Sequence, residues 1–376
     1  MRVIVIGAGI GGLALAQGLL QAGVDVRLFE RESAVDSRYQ GFRIVLDERG
    51  AGALRECLPD RLHDVLHATT GELAGSRRVV DPRLNEISQL GDVTGGTATD
   101  RYVLRHLLLT GLRDRIEFGK HLIGSTESHE GTVRADFADG SSTEGDILVG
   151  ADGVASTVRR QLLPHAEVVT LSGSSFLGRT PVSARSAHLV PGFGTVVRGE
   201  SASMLIGKME FRCPPHLAAG RHSDVALPVT PDYLRWVVSL PDRPAPFPSE
   251  WAEIRELLLH VVRDWHPDLV ELVKQSDVIN GSPLKVRYAK AVPPWRTGRV
   301  TLMGDAVHVM PPSGGQGANT AFRDASLLSR SLIAAHRGES ELLPAVEAYE
   351  RQMIDYGFAA VAESLNRLPD FKATRD

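Results

Sequence analysis

Two glycine-rich stretches in this chain, each beside a carboxylate, have the residue types and spacing to hold a polar ligand. Near the start, Gly7, Gly9 and Gly12 stand as G-x-G-x-x-G directly after the apolar run Val3 to Ile6, with Gly11 beside Gly12. In such a turn the first glycine permits a tight reversal. The second lets backbone approach a pyrophosphate, and the third allows close helix–strand packing. Glu30 follows 18 residues after Gly12, at the end of a second apolar run from Val26 to Phe29. A carboxylate at that spacing accepts from ribose hydroxyls, and an acid rather than an arginine there disfavours a 2′-phosphate. The pattern predicts an adenine dinucleotide, FAD or NAD. Arg31, next in the chain, reads either as a ligand contact or as a solvated surface residue.

The second stretch runs from Arg299 to Ala325. An apolar run, Val300 to Met303, stops at Gly304-Asp305. A loop containing Pro311, Pro312, Gly314, Gly315 and Gly317 follows, and a helix is expected to open at about Asn319. Its loop can bring backbone close to a flat polar ligand, and its helix offers unpaired N–H groups with a partial positive charge. Alone it specifies only a polar or anionic ligand.

Other residues have two readings each. Gly41 and Arg43 fit a ligand edge or a β-edge with an outward arginine. Arg101 falls in the first turn of an expected helix, Thr99 to Arg115, with Asp100 as its N-cap. A cation there opposes the helix dipole, which suggests an anionic partner; an exposed arginine is the other reading. Gly150-Ala151-Asp152-Gly153, with Ser156 and Arg159, could bind a further polar face of a cofactor or be a turn with an N-cap.

These residues need elements to position them. Strands are expected at Val3–Ile6, Val26–Phe29, Ile116–Ile123, Val133–Phe137, Asp146–Gly150 and Val300–Met303, with a helix after Gly12 ending at Gly23 and a hairpin turn at Asp139-Gly140. Alternating polar segments between Ala68 and Thr99 suggest strands outside the nucleotide-binding sheet. Residues 166 to 283 are proline-rich, with a cluster between Pro244 and Pro248, and carry short β-type runs at Thr195–Val197, Met204–Ile206 and Leu234–Leu240. They read as a strand-rich layer able to roof a pocket. Trp251 to Lys274 reads as a helix or a pair broken at Pro267. A last amphipathic helix, from about residue 343 to Leu368, is expected to pack on this second layer.

Composition narrows the class. With 376 residues, 43% hydrophobic and 23% charged, the chain reads as an ordinary globular protein of two domains or one elaborated domain. Lys plus Arg minus Asp plus Glu is 42 − 46 = −4, which makes no electrostatic case for nucleic acid or an anionic membrane. Cys57 and Cys213, without a CxxC, argue against a disulfide framework or thiolate metal site, and the histidines lack metal-ligand spacing. No signal peptide or membrane span is evident, so a cytoplasmic monomer or homodimer acting on a small molecule is expected.

Taken together, Gly7-x-Gly9-x-x-Gly12 with Glu30, Arg101-x-x-Leu104, the Gly150–Gly153 motif with Ser156 and Arg159, and Gly304-Asp305-Ala306 with Pro311 and Gly315–Asn319 identify a family. The chain resembles the single-component, FAD-dependent aromatic hydroxylases of the para-hydroxybenzoate hydroxylase fold. It is most similar to the compact branch with the tetracycline-inactivating monooxygenases and many antibiotic-tailoring hydroxylases. The likeness spans the whole chain for fold, whereas residues 166–283 carry almost no substrate signature. It implies an α/β architecture. A discontinuous Rossmann-like FAD-binding domain of the GR2 type (1–67, 97–165 and 284–340) is joined to an inserted β-sheet substrate domain (68–96 and 166–283) and a long C-terminal helix (341–376). The thioredoxin-like domain of the phenol hydroxylase branch is not expected.

The same resemblance implies roles. Gly7, Gly9, Gly11 and Gly12 would hold the FAD pyrophosphate, with Glu30 on the adenosine ribose and Arg31 nearby. Arg101 would approach the flavin or its phosphates, Asp152-Gly153 would serve FAD and NAD(P)H, and Asp305 would bind ribitol and pyrophosphate-side hydroxyls. Backbone N–H groups around Gly317, Ala318 and Asn319 would face the flavin N1–C2 carbonyl edge, where negative charge develops on reduction. The implied reaction is hydroxylation of an aromatic or polyketide-like molecule by NADH or NADPH and O2 through a flavin C4a-hydroperoxide, in antibiotic biosynthesis or resistance. No protein base is required. Arg43, as a contact during flavin movement, and His308, with loop support as its competing role, are the candidates for catalysis. The alternatives are epoxidation, Baeyer–Villiger oxidation or dehydrogenation on the same fold, or an FAD-bearing protein that sequesters its ligand.

Overall fold

The computed structural model describes residues 1–37, 41–91, 95–240, 250–279 and 284–368. The prolines between Pro244 and Pro248 and the residues just before Gly41 lie outside them. Five parallel strands form one sheet in the order Val300–Leu302, Ile147–Gly150, Arg2–Ile6, Asp25–Glu30 and Ile116–Phe118. Val3 to Val5, Ile147 to Val149 and Leu302 are fully buried. Strands so uniformly apolar suit a parallel sheet covered on both faces rather than one with a wet side. The pairings Val3↔Ile147 and Leu148↔Val300 bring segments from the beginning, middle and end of the chain edge to edge.

The first crossover helix, Ile10–Gln21, ends as expected at Gly23, whose φ of +74° reverses the chain while its N–H donates to the Leu20 carbonyl. Ile10–Gln21 packs on the long helix Gln316–His336, which packs in turn on Leu342–Asn366. That last contact corrects an expectation. The final helix covers the parallel-sheet layer, not the second layer: Val346, Tyr349 and Met353 are buried in the core that also holds Leu302 and Phe322. Tyr349 Oη donates to the Leu302 carbonyl at 2.9 Å, and Glu350 accepts from Trp295 Nε1 (3.1 Å), Thr301 Oγ1 (2.8 Å) and Thr297 Oγ1. An apolar stripe states that a helix must be covered, not by what.

The expected strand Ile116–Ile123 is two. Gly119, at φ +74°, turns the chain, and the Gly119 and Lys120 N–H groups donate to the Glu32 and Glu30 carbonyls. Ile116–Phe118 stays in the parallel sheet, while Leu122–Glu127 joins Val133–Phe137 and Ser142–Gly145 in an antiparallel meander around Asp139-Gly140. The expected helix Thr99 to Arg115 is shorter, Arg101–Leu108, because Thr97–Asp100 is a strand paired with Arg43–Leu46.

A seven-stranded sheet forms the second layer, in the order Val278–Ile279, Ser174–Pro181, Tyr233–Leu240, Ser203–Met209, Gly194–Arg198, Arg77–Val80 and Glu86–Leu90. Leu234, Trp236 and Val238 alternate to one face, covered by the helices Trp251–Val261 and Pro267–Lys274. These helices are the expected pair, and Pro267 opens the second at a position where its missing N–H costs nothing. The other face carries Tyr233, Arg235 and Val237 and meets Phe42, Ala98 and Val103 at its end.

Candidate functional site

The two glycine-rich stretches lie side by side. Gly7 has φ +106°, and a Cβ there would stand 2.4 Å from the Ala151 carbonyl oxygen. A Cβ on Gly12 would stand 2.3 Å from the Gly7 oxygen, so both glycines are demanded by close backbone approach. Gly11 faces Ala321 of the long helix, its Cβ position 3.3 Å from Ala321 Cβ. Gly9 differs: among the described residues nothing lies within 4 Å of its Cβ position. The turn therefore packs at three glycines and leaves open space at one, directly before the N-terminus of Ile10–Gln21.

Glu30, buried, accepts from Ala8 N–H at 2.9 Å and Glu32 N–H at 3.1 Å. Arg105, one helical turn beyond Arg101, donates to the Ala8 carbonyl (3.1 Å) and the Val35 carbonyl (2.8 Å), and stands 3.8 Å from Glu30 Oε2. Sequence reading missed this residue. Its signal was the four-residue spacing from Arg101, which puts both arginines on one helical face. Arg101 itself is half-buried; its N–H donates to the Phe42 carbonyl and its Cδ lies 3.9 Å from the Cβ position of Gly41. Asp100 caps the helix as expected, accepting from Val103 N–H. Arg31 is exposed, 3.8 Å from Glu32.

At the other device, Gly304 has φ +61° and ψ −146°, a conformation reserved for glycine, and its N–H donates to Asp324 Oδ2 at 2.7 Å. The turn presents Asp305, exposed, at the head of the short helix Asp305–His308, and Asp305 Oδ1 lies 4.0 Å from the Cβ position of Gly317. A carboxylate against the first turn of a helix is favourably placed. The long helix opens three residues earlier than expected, at Gln316, after Gly315 in the left-handed region. The N–H groups of Gly317 and Ala318 thus belong to the unpaired first turn, whereas Asn319 sits where the helical ladder has begun. The Asn319 side chain donates to the Val45 and Gly315 carbonyls (3.0 Å each) and accepts from Asp47 N–H (3.1 Å), tying the helix start to the Arg43–Leu46 strand.

His308 is fully buried, Nε2 lying 2.7 Å from Asp324 Oδ2. Burial works against its charged form, but the Asp324 carboxylate outweighs this and raises the imidazole pKa above its ordinary value. Asp324 also accepts from Tyr356 Oη at 2.6 Å. One buried carboxylate thus fixes Gly304, His308 and the final helix together, and His308 supports the loop instead of facing open space. Asp324 was missed because a carboxylate inside a helix looks solvated until the fold encloses it.

Asp152 Oδ2 accepts from Thr157 N–H (2.7 Å) and Val158 N–H (3.3 Å), and Ser156 Oγ accepts from Arg159 N–H (2.8 Å), so a turn with N-capping is present here. Asp152 Oδ1 is buried with no hydrogen-bond partner among the described residues, which leaves it available to a ligand. Arg159 joins the two motifs by donating to the Val154 and Ala306 carbonyls at 2.8 Å each. Arg43 is buried too, but its guanidinium points at the seven-stranded sheet, 5.1 Å from the Phe193 ring centroid. Burial, with Arg235 and Arg77 nearby, pushes its pKa down to about 9.

The open space at Gly9, the orphaned Asp152 oxygen, Glu30, Asp305 and the unpaired N–H groups of Gly317 and Ala318 fit one extended ligand with hydroxyls, a diphosphate and a polar ring edge. Comparison with known proteins agrees. A family model described as FAD binding domain matches residues 1–362. The chain is 31% identical over 389 residues to a dual O-methyltransferase/FAD-dependent monooxygenase of Cercospora beticola, covering 93% of this chain but 44% of that protein. It therefore spans less than half the length of the first curated relatives it matches. It is 30% identical to an FAD-dependent monooxygenase of Trichoderma harzianum, covering 96% of this chain and 91% of that one. A solved structure from Photorhabdus luminescens, designated an FAD containing monooxygenase, is 32% identical, with a TM-score of 0.81 over 97% of both chains.

Proposed function

Because the chain belongs to the FAD binding domain family, we propose that it is an FAD-dependent monooxygenase that hydroxylates an aromatic or polyketide-like small molecule with NADH or NADPH and O2. The observation that carries this is the meeting of two ligand-ready helix starts, at Gly9 and at Gly317, from opposite ends of the chain. The named activities of the relatives, FAD-dependent monooxygenases among them, support it.

Gly9 would let the backbone approach the diphosphate, Glu30 would take the ribose hydroxyls, and Asp305 would accept from hydroxyls of the ribityl chain. The Gly317 and Ala318 N–H groups, with the helix dipole behind them, would favour negative charge on the flavin's polar edge. When bound, FAD supplies hydride acceptance from the nicotinamide and activation of O2, one oxygen atom passing to an electron-rich substrate carbon and the other to water. The seven-stranded sheet is proposed as the substrate layer, and the parallel sheet with its helices as the cofactor layer. Together the two layers would orient the reactants and exclude water.

The purified protein should be yellow or become so on reconstitution with FAD, and should oxidise NADH or NADPH faster with a suitable phenol, giving a product heavier by one oxygen atom. Protein that takes up no flavin would sink the reading. Asp305→Ala should lower flavin occupancy sharply; full retention would contradict the role given to Asp305.

A further inference from the structure

Directly after Glu30 the chain leaves the parallel sheet, and residues 31–37 form turns with neither helix nor strand. Glu32 and Val35 are half-buried, while Arg31, Ser33, Ala34, Asp36 and Ser37 are exposed. Such a segment holds one conformation only where specific bonds offset its entropy. Here they come chiefly from one helix. Tyr102, Arg105 and His106 stand at i, i+3 and i+4 of Arg101–Leu108 and share a face, while Leu104, Leu107 and Leu108 turn into the core. Tyr102 Oη donates to Asp36 Oδ1 at 2.7 Å, and His106 Nε2 lies 3.1 Å from the same oxygen. Arg105 donates to the Val35 carbonyl at 2.8 Å. Two further bonds shape the segment: Ala34 N–H donates to Ser37 Oγ, and Gly119 N–H to the Glu32 carbonyl, each at 2.8 Å.

The protonation states suit these bonds. Burial, then the bond to Asp36, pushes the Tyr102 hydroxyl up to about 12, so it remains a donor. Burial alone would raise the Asp36 pKa, but the bonds from Tyr102 and His106 bring it below the ordinary carboxylate value. Both partners therefore face an ionised acceptor, the stronger kind of hydrogen bond.

Arg105 fixes where the segment stands. The same guanidinium donates to the Ala8 carbonyl at 3.1 Å and lies 3.8 Å from Glu30 Oε2. It joins Val35 to the first glycine turn and to the acid proposed for the ribose. In a parallel α/β sheet a ligand lies in the crevice outside the carboxyl ends of the strands. Residues 31–37 continue one such end, that of Asp25–Glu30, so they border the crevice on its adenosine side.

From this arrangement we propose that residues 31–37 are a strap along the adenosine half of the FAD site, and that Tyr102 and His106, acting through Asp36, are positioning residues that hold it closed and slow loss of the cofactor. The proposal rests on the FAD reading and adds the residues that govern retention of the dinucleotide.

Flavin-free protein would be titrated with FAD, with ADP, which has the adenosine and diphosphate but no flavin, and with FMN, which has the flavin but no adenosine. Release of FAD would be timed by flavin fluorescence. Tyr102→Phe and His106→Gln should each weaken FAD and ADP alike, by about three- to tenfold, as expected for a hydrogen bond to a charged group. FAD should leave faster by the same factor, while FMN is held as by wild type. Asp36→Ala should lose at least as much as either, and adding Tyr102→Phe to it should cost nothing more, because both bonds end on Asp36. Unchanged FAD and ADP binding in all three variants overturns the proposal. So does a loss of FMN equal to the loss of FAD, which would mean a general loosening of the fold. Weakened FAD with unchanged ADP, or additive losses in the double variant, overturns it too. Failure of the FAD reading looks different: wild-type protein itself would then bind neither FAD nor ADP, and the proposal would fall with it.

Discussion

Asp324 shows how much one buried carboxylate can organise. It accepts from Gly304 N–H, faces His308 Nε2, and accepts from Tyr356 Oη, joining the turn that presents Asp305 to two helices. Replacing it with alanine would leave buried donors unmatched, at a cost of about 1–3 kcal/mol for each unsatisfied group. Asp324→Ala should therefore lower the urea midpoint and loosen flavin together; a variant that unfolds earlier yet holds FAD as tightly as wild type would separate Asp324 from the site. The same contact sets a pH dependence. His308 has a folded pKa above 6.5, so the stability it contributes is full below 6.5 and is lost as pH rises through the folded value. The gap in urea midpoint between wild type and His308→Gln should be full below about pH 6.5 and narrow as pH rises above it. A gap that stays constant or widens contradicts the assignment.

Among the elements, the first turn and the final helix carry distinct tests. Gly12 and Gly9 belong to one motif but face different surroundings. Gly12→Ala drives a methyl into the Gly7 carbonyl oxygen, a backbone atom that cannot step aside, so it should destabilise flavin-free protein by about 1–3 kcal/mol. Gly9→Ala meets nothing, so it should leave flavin-free stability unchanged and weaken FAD binding by tenfold or more. Equal destabilisation by the two would remove the distinction. The final helix is locked to the strand that leads into Gly304 by Tyr349 on Leu302 and by Glu350 on Trp295, Thr297 and Thr301. Burial raises the Glu350 pKa although three donors work against it, so the carboxylate stays buried for its hydrogen bonds. Glu350→Ala should cost more than the typical point substitution, above about 2 kcal/mol by urea unfolding.

Across the whole molecule, the parallel layer and the seven-stranded layer meet at a small core of Phe42, Ala98, Val103, Leu177, Met209 and Tyr233. A buried hydrogen bond crosses it, Tyr233 Oη donating to Asp100 Oδ2, while Asp100 Oδ1 caps the Arg101–Leu108 helix. Tyr233→Phe would strand a buried carboxylate oxygen, and should lower stability by about 1–3 kcal/mol while flavin binding persists. Loss of flavin with unchanged stability would show that the contact serves the cofactor instead. Among the described residues no helix is long and apolar enough to cross a membrane.

The sequence by itself determined the local devices. Apolar runs broken by Gly7, Gly304 and Gly315, the cap at Asp100, the stop at Gly23 and the acid at Glu30 are consequences of backbone sterics and short-range hydrogen bonding, which a few neighbouring residues set. The β-type run Leu234–Leu240 likewise marked a strand of the second layer. Only the tertiary structure decided what each device meets. It split Ile116–Ile123 at Gly119, moved the final helix onto the parallel layer, and began the long helix at Gln316. It also enclosed Asp324 and Arg105, which look like solvated charges in the chain, and gathered Arg43, Arg77 and Arg235 from three distant strands. These outcomes depend on which surfaces pack together and on the register of pairing between segments far apart in sequence, and no window of the chain contains both partners.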